Sequence, residues 1–405
     1  MAFSNGISVK QPRLGSGGLL VLMVLATVFG ALSSDMYTPA LPELPAYFHT
    51  TEAVVGQTIT FFFVSNALGF LLSGPVSDKL GRRPVLIGGS LLYAAGSVLC
   101  AIASTIGTLI AARVVQGFGA GTIDTMCTAL AKDCFYEDKR EQALSLIQTL
   151  FVVVPIVGPL LGGFVLTVLP WHAIFLIQGA VAILCLALSI LFEESLSADE
   201  RSQVPVSRSL GRLVVVAKNP GFSFALLVLS AVNLPFMAYI GSAPYIYVDE
   251  FGLTQQQYTY FFAASALFAS FGPSLSVIML KRISGKKYAT LMMACSIACG
   301  VAMLLVGSTT PFVFWTCFML YAVIEAAIRP FAANLLLEQQ EGDAGSVSSL
   351  YNFVCTVLGS VGTAVIMLPW PTYIIGLGLL IVGVMGVALL AWVFGLRAGV
   401  KVEGI

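Results

Sequence analysis

Long apolar runs separated by short polar interruptions recur along the whole chain. At about 20 residues per bilayer crossing, they predict twelve helices, with cores at 17–40, 53–76, 85–104, 108–131, 142–168 and 171–192, then 221–243, 257–280, 288–307, 312–334, 346–367 and 372–394. The longest polar interruption, Glu193 to Asn219, carries Glu193, Glu194, Asp199, Glu200, Arg201, Arg208, Arg212 and Lys218. It divides the pattern into an N-terminal six-helix bundle (1–192), a linker (193–219) and a C-terminal six-helix bundle (220–405). The expected fold class is an all-α membrane protein.

Composition agrees. Of 405 residues, 58% are hydrophobic and only 10% charged, whereas a soluble surface needs about 25% charged residues. The solvent of this chain is therefore the lipid bilayer. Twenty basic and 20 acidic residues cancel, which leaves no case for nucleic acid as a partner. The first apolar run starts near Gly17 and is long enough to span, unlike a cleavable signal.

The basic residues orient the chain. Lys10 and Arg13, Lys79 with Arg82 and Arg83, and Lys132 with Lys139 and Arg140 all fall on one side of a twelve-span protein. So do the linker cations, Lys281, Arg282, Lys286 and Lys287, and Arg397 with Lys401. The opposite loops carry Glu43, Glu52, Asp249 and Glu250. The positive-inside rule then places both termini in the cytoplasm. Most of the eight cysteines lie in apolar runs, Cys134 in a charged loop, and none has metal-ligand spacing.

Five ionisable residues fall inside predicted spans: Asp35, Arg113, Asp124, Glu325 and Arg329. Charge there is costly, so each should face water or a partner. At about 1.5 Å per residue, Asp35 lies roughly 27 Å from the cytoplasmic start of its helix and Arg113 roughly 9 Å from the outer end of its own. Their depths are thus comparable. Desolvation and a nearby guanidinium act oppositely on a carboxyl group, so such an acid is poised to exchange a proton. Asp35 could equally be a turn residue at the Pro39/Pro42 helix end.

Asp124 follows Arg113 by three helical turns and is a second relay site or a solvated helix-end acid. Glu325 and Arg329, an i, i+4 pair before Pro330, form either a structural staple or a coupling site. His49 and His172 belong to the outer surface. The polar and aromatic candidates for a substrate cavity are Tyr37, Gln57, Phe61, Asn66, Gln148, Asn233, Phe236, Tyr239, Tyr258, Phe262, Arg329 and Asn352. Aromatics with few polar anchors suit bulky, partly apolar ligands. No metal cluster, catalytic triad or phosphate loop is evident, which disfavours an enzyme.

Between the second and third predicted helices stands Gly74-Pro75-Val76-Ser77-Asp78-Lys79-Leu80-Gly81-Arg82-Arg83-Pro84. It resembles the loop signature of the major facilitator superfamily. Arg282-Ile283-Ser284-Gly285-Lys286-Lys287 echoes it in the second half, as Gly359 and Gly362 echo Pro155 and Gly158. Asp35-Met36-Tyr37-Thr38-Pro39-Ala40-Leu41-Pro42 resembles the signature of the bicyclomycin/chloramphenicol-resistance branch of drug:proton antiporters. Arg113 to Gly121 is similar to the fourth-helix motif of such antiporters. Pro155, Gly158, Pro159, Gly162 and Gly163 resemble their fifth-helix antiporter motif, and Trp171-His172-Ala173-Ile174-Phe175 the branch's sixth-helix start.

The resemblance implies a monomeric multi-pass protein of the bacterial inner membrane that exports drugs or small amphipathic molecules against protons. It implies no cofactor beyond the proton gradient. Asp35, Arg113, Asp124 and Glu325 would couple protons, and Gly74, Asp78, Gly81, Arg82 and Arg83 would form a cytoplasmic gate. Export of a cellular metabolite, or uncoupled facilitation, are the alternatives.

Overall fold

In a computed structural model the regular elements of the described residues are all helices. The description covers residues 11–197, 199, 201–340, 344–400 and 402; the side chain of Gln148 lies outside the described residues. The first half contains α1 (Gly15–Asp35), α2 (Glu52–Leu80), α3 (Arg82–Ala101), α4 (Ile106–Cys134), α5 (Glu137–Val168) and α6 (His172–Leu191). After α7 (Val206–Ala217) come α8 (Pro220–Ser230), α9 (Asn233–Tyr245), α10 (Gln255–Ala269), α11 (Gly272–Leu280), α12 (Gly285–Val306), α13 (Pro311–Glu338), α14 (Ala344–Ile366) and α15 (Tyr373–Arg397).

Among the described residues ten helical stretches, Pro220–Glu250 and Gln255–Leu280 each counted as one, are long and apolar enough to cross a membrane, and the bent pair Gly17–Gly30 with Leu32–Tyr47 makes an eleventh. The span expected at 142–168 lies in α5, which runs over Glu137–Val168. Leu91, Ile183, Leu305 and Val387 stand exposed on the helices, as befits side chains whose solvent is hydrocarbon.

Proline explains where several of the helices stop or divide. The first span, expected to run straight to residue 40, bends by 51° between Gly30 and Leu32, and α1 stops at Asp35. Pro39 and Pro42 cannot donate to a helical ladder, and each disfavours the α region just before it. The chain instead makes a tight helical turn over Thr38–Glu43. The spans expected at 221–243 and 257–280 are each divided, by Pro235 after the α8/α9 break and Pro273 after the α10/α11 break. Each proline removes the N–H that would have reached back across its break. Cys134, expected in a loop, is the buried last residue of α4. The linker holds a helix, α7, that the apolar pattern does not mark.

Close packing divides the chain into two units, one of residues 1–40 with 61–210, the other of 41–60 with 211–405. Residues 41–60 thus pack with the later unit, although they precede the linker. There Thr60 and Thr363 share a hydroxyl hydrogen bond of 2.9 Å, the Tyr373 phenol donates to Glu52, and the Tyr245 hydroxyl to Leu41 O. In the first unit, Phe29 and Tyr93 meet edge to face at 4.5 Å, amid buried side chains of α1, α3, α4 and α6. Apolar burial does not favour one helix over lipid, so contact depends on small residues that admit a neighbour. A Cβ on Gly119 would sit 2.5 Å from Tyr93 N, and one on Gly117 would collide with the Phe62 carbonyl.

Candidate functional site

Where α1 ends, Tyr37 N–H turns to Ser34 O while Met36 N–H keeps Leu32 O, so Ser33 O is left for a buried polar side chain. Arg113 on α4 is fully buried. Its Nη1 donates to Ser33 O at 3.2 Å and to Gln116 Oε1 at 2.6 Å. Gln116 in turn donates to Ser97 Oγ and Gln178 Oε1, both at 2.9 Å, and Gln178 reaches Leu32 O at 3.3 Å. The guanidinium carbon lies 4.0, 4.9 and 5.8 Å from the ring centroids of Phe62, Tyr37 and Phe175. Negative ring faces and carbonyl dipoles thus surround a cation that would be costly to bury alone.

Asp35 ends α1 two residues beyond Ser33 and is 4% exposed. Its Oδ1 accepts from Ser34 Oγ at 3.0 Å. The expected match in depth with Arg113 is present, since Arg113 touches Ser33. No ion pair joins the two: the ion pairs of the described residues do not include Asp35 with Arg113. The bend turns Asp35 toward α5 while Arg113 is held by amides and rings. There the fifth-helix motif presses on it. A Cβ on Gly158 would lie 3.0 Å from the Asp35 Cβ, and one on Gly162 would strike the Met36 carbonyl. Pro159 and Gly163 are buried beside them and Pro155 is half-buried.

Asp124 seats its carboxylate against α1 one step lower, where a Cβ on Gly30 would come within 2.5 Å of Oδ2. It is within hydrogen-bonding reach of the Asn66 side chain. Its Oδ1 is buried without a hydrogen-bond partner among the described residues. From Gly30 to Asp35 is about 7.5 Å along a helix axis, so the two acids are staggered along the same first span.

The Asp78 segment is tied to the ends of three helices. Arg82 Nη1 meets Asp78 Oδ1 at 2.5 Å and Ser77 Oγ at 2.6 Å, and its Nε meets Asp133 Oδ2 at 2.9 Å. Glu194 accepts from the backbone N–H groups of Arg82 at 2.8 Å and Arg83 at 3.1 Å, capping the positive end of α3. Arg83 Nη2 donates to Ile190 O at 2.6 Å. In sequence, Glu194 counts only among the linker charges and Asp133 is not singled out, because neither lies near Arg82 in the chain. Gly81 adopts φ +103°, a conformation open mainly to glycine. Gly81→Ala should cost about 1–3 kcal/mol and lower the thermal unfolding midpoint, which a melt of the purified protein checks. Gly74, by contrast, leaves 3.9 Å to Thr125, room for a side chain.

The second unit holds the other acid. Glu325 on α13 is 2% exposed, and its Oε1 lies 2.7 Å from Nε of Arg329, whose side chain is 48% exposed. Arg329 Nη2 donates to Asn233 Oδ1 at 3.2 Å, and Asn233 Nδ2 donates to Cys355 O at 2.5 Å. Gly359 and Gly362 on α14 press on this part of α9: a Cβ on Gly359 would lie 3.0 Å from Asn233 Nδ2, and one on Gly362 would strike Leu234 O. That repeats the way α5 meets Asp35 and Met36.

Several expected cavity residues are buried in the core instead. Tyr37 is 0% exposed, caging Arg113 and packing on Phe175 at 5.2 Å. Tyr239, Tyr258 and Phe262 are buried in an aromatic cluster, where Tyr239 stacks on Phe318 at 3.5 Å. Tyr247, in that cluster 4.9 Å from Phe261, carried no distinguishing signal in sequence. Rings at helical spacing look alike whether they line a space or fill one. Gln57, Phe61 and Asn352 are exposed, and Asn66 and Phe236 half-buried. Among the described residues no group of His, Cys, Asp or Glu converges as a metal site.

A family model described as Major Facilitator Superfamily matches residues 23–363. The chain belongs to the major facilitator superfamily. Among curated proteins, this transporter is 28% identical to a chloramphenicol resistance protein of Pseudomonas aeruginosa over 95% of its own length and 93% of the relative's. It is likewise 28% identical to the uncharacterized MFS-type transporter YdgK of Bacillus subtilis, over 85% and 87%. The multidrug resistance protein MdtL of Escherichia coli is 28% identical over 57% of this chain and 59% of its own. Among solved structures, a bacterial homologue of the human lysosomal transporter Spinster superposes with TM-score 0.74 at 16% identity, covering 96% of this chain and 98% of that one. A D-xylose–proton symporter gives 0.71 at 15% identity, covering 95% and 98%. The chain is therefore a multi-pass membrane transporter of the major facilitator fold.

Proposed function

We propose that this transporter is a proton-coupled antiporter that exports drugs or small amphipathic molecules from the bacterial cytoplasm by alternating access. It works in the inner membrane, with both termini cytoplasmic, as a monomer and with no cofactor beyond the proton gradient. The observation that carries the reading is Asp35, a buried carboxyl group beside the bend of the first span and pressed by the glycines of α5. A proton arriving from outside neutralises Asp35 and substrate leaves; facing inward, the acid loses its proton and substrate binds in competition. Arg113 holds the bent carbonyls in place, so that the acid keeps its position. The names of the chloramphenicol-resistance and multidrug-resistance relatives support drugs as the cargo class.

The test is proton movement in sealed proteoliposomes carrying a pH-sensitive dye. Adding chloramphenicol to vesicles with an imposed acid interior should dissipate the gradient in step with chloramphenicol movement. Transport indifferent to the gradient would leave an uncoupled facilitator. A transporter that ignores chloramphenicol and other drugs but moves amino acids or sugars against protons would be a metabolite exporter.

A further inference from the structure

The Glu325–Arg329 pair is not used by that mechanism. Its geometry does not fit a staple. A staple gains little from burying a carboxylate at 2% exposure, since apolar side chains of similar volume hold helices as well or better. Arg329 lies 18 residues into a 28-residue helix, nearer its cytoplasmic end. Its side chain is half exposed. Nε faces Glu325 and Nη2 faces Asn233, while Nη1 has no partner among the described residues. Phe236, three residues after Asn233, is half-buried and packs on Phe318 at 6.3 Å.

We infer that Arg329 is a recognition site for an acidic group on an aromatic or otherwise apolar cargo, and that Glu325 sets its strength. The free Nη1 offers the first hydrogen bond to a carboxylate, and Phe236 the wall for the apolar body. With Glu325 ionised, Arg329 already has its counter-ion, and an acidic ligand must compete. When Glu325 takes a proton from water it becomes neutral, Arg329 stays charged, and the ligand's carboxylate replaces Glu325 as counter-ion. Acid ligands therefore bind together with a proton. The other titratable side chains around the pair are Tyr321 on the same helix, Cys299 on α12, and Tyr351 and Cys355 on α14. These are phenols and thiols, and no second carboxylate or cation shares the site among them.

This inference rests on the reading that the chain moves amphipathic small molecules, but its test needs no gradient. Purified full-length protein in detergent is titrated with a naphthoic acid and with its methyl ester, at neutral and at mildly acidic pH. The wild type should prefer the acid roughly tenfold, and more strongly on acidification. Glu325→Gln should bind the acid at neutral pH as tightly as the wild type does at acidic pH, without further pH dependence. Removing Arg329 alone leaves a buried unpaired acid, so the loss is read in the Glu325→Gln/Arg329→Gln double variant, which should bind acid and ester alike. An acid preference that survives in the double variant, or a pH dependence that survives in Glu325→Gln, overturns the proposal. So does a wild type that binds acid and ester equally. Failure of proton coupling in vesicles would leave these binding results unchanged.

Discussion

Asp35→Asn should reduce gradient-driven export to background, a loss of roughly a hundredfold or more if one proton-exchanging group is removed. Asparagine has nearly the same shape, can still accept from Ser34 Oγ, and fits beneath Gly158 where the Cβ is already 3.0 Å away. It cannot bind or release a proton. Burying a neutral amide is also cheaper than burying a carboxylate, so the variant should fold and melt at or above the wild-type temperature. Locked neutral, the site resembles the proton-loaded form, from which substrate leaves. Substrate affinity should therefore fall, and the response to an imposed pH difference should disappear. Inverted vesicles that show full pH-driven accumulation by the Asn variant would remove Asp35 from the coupling. Asp35→Glu tests the steric half of the argument: the longer acid keeps the proton but presses into the α5 glycines, and transport should fall without vanishing.

The class of the fold was legible because the bilayer imposes one demand everywhere, an apolar run of spanning length, and composition states it plainly. The bends were less legible. Pro39 and Pro42 announced a disturbance, but not that it would turn Asp35 away from Arg113 toward α5. Sequence places residues along a helix; it does not say which neighbour a side chain meets. The small-residue motifs read better. Gly158 and Gly162, quoted as a motif, are the residues that admit α1, and Gly359 and Gly362, quoted as the echo of Pro155 and Gly158, admit α9. Aromatic residues read worst, because Tyr37, Tyr239, Tyr258 and Phe262 satisfy the same spacing in a core as on an open face. Glu194, the acid that caps α3, was hidden by its distance of more than a hundred residues from the arginines whose N–H groups it accepts.

Arg113→Ala should be the most damaging single change to the first unit. The removed side chain is fully buried, so the cavity costs about 2–5 kcal/mol. Ser33 O loses the guanidinium's hydrogen bond and Gln116 Oε1 its charged donor, each at about 1–3 kcal/mol if left unsatisfied. The bend beside Asp35 then loses its tether, and the melting temperature and all transport should fall together. Arg113→Lys separates charge from geometry. Lysine keeps the cation and can still face the rings of Phe62 and Tyr37, but its single ammonium lacks the planar fork of guanidinium. If Arg113 acts as a relay of charge, the Lys variant should keep much of the pH-driven transport. If it positions the bent carbonyls, as its contacts indicate, the Lys variant should lose transport of every substrate while still binding them in detergent. Equal transport by Lys and Arg forms, measured in the same vesicles at matched protein levels, would show that the fork at Ser33 and Gln116 does not matter to the cycle.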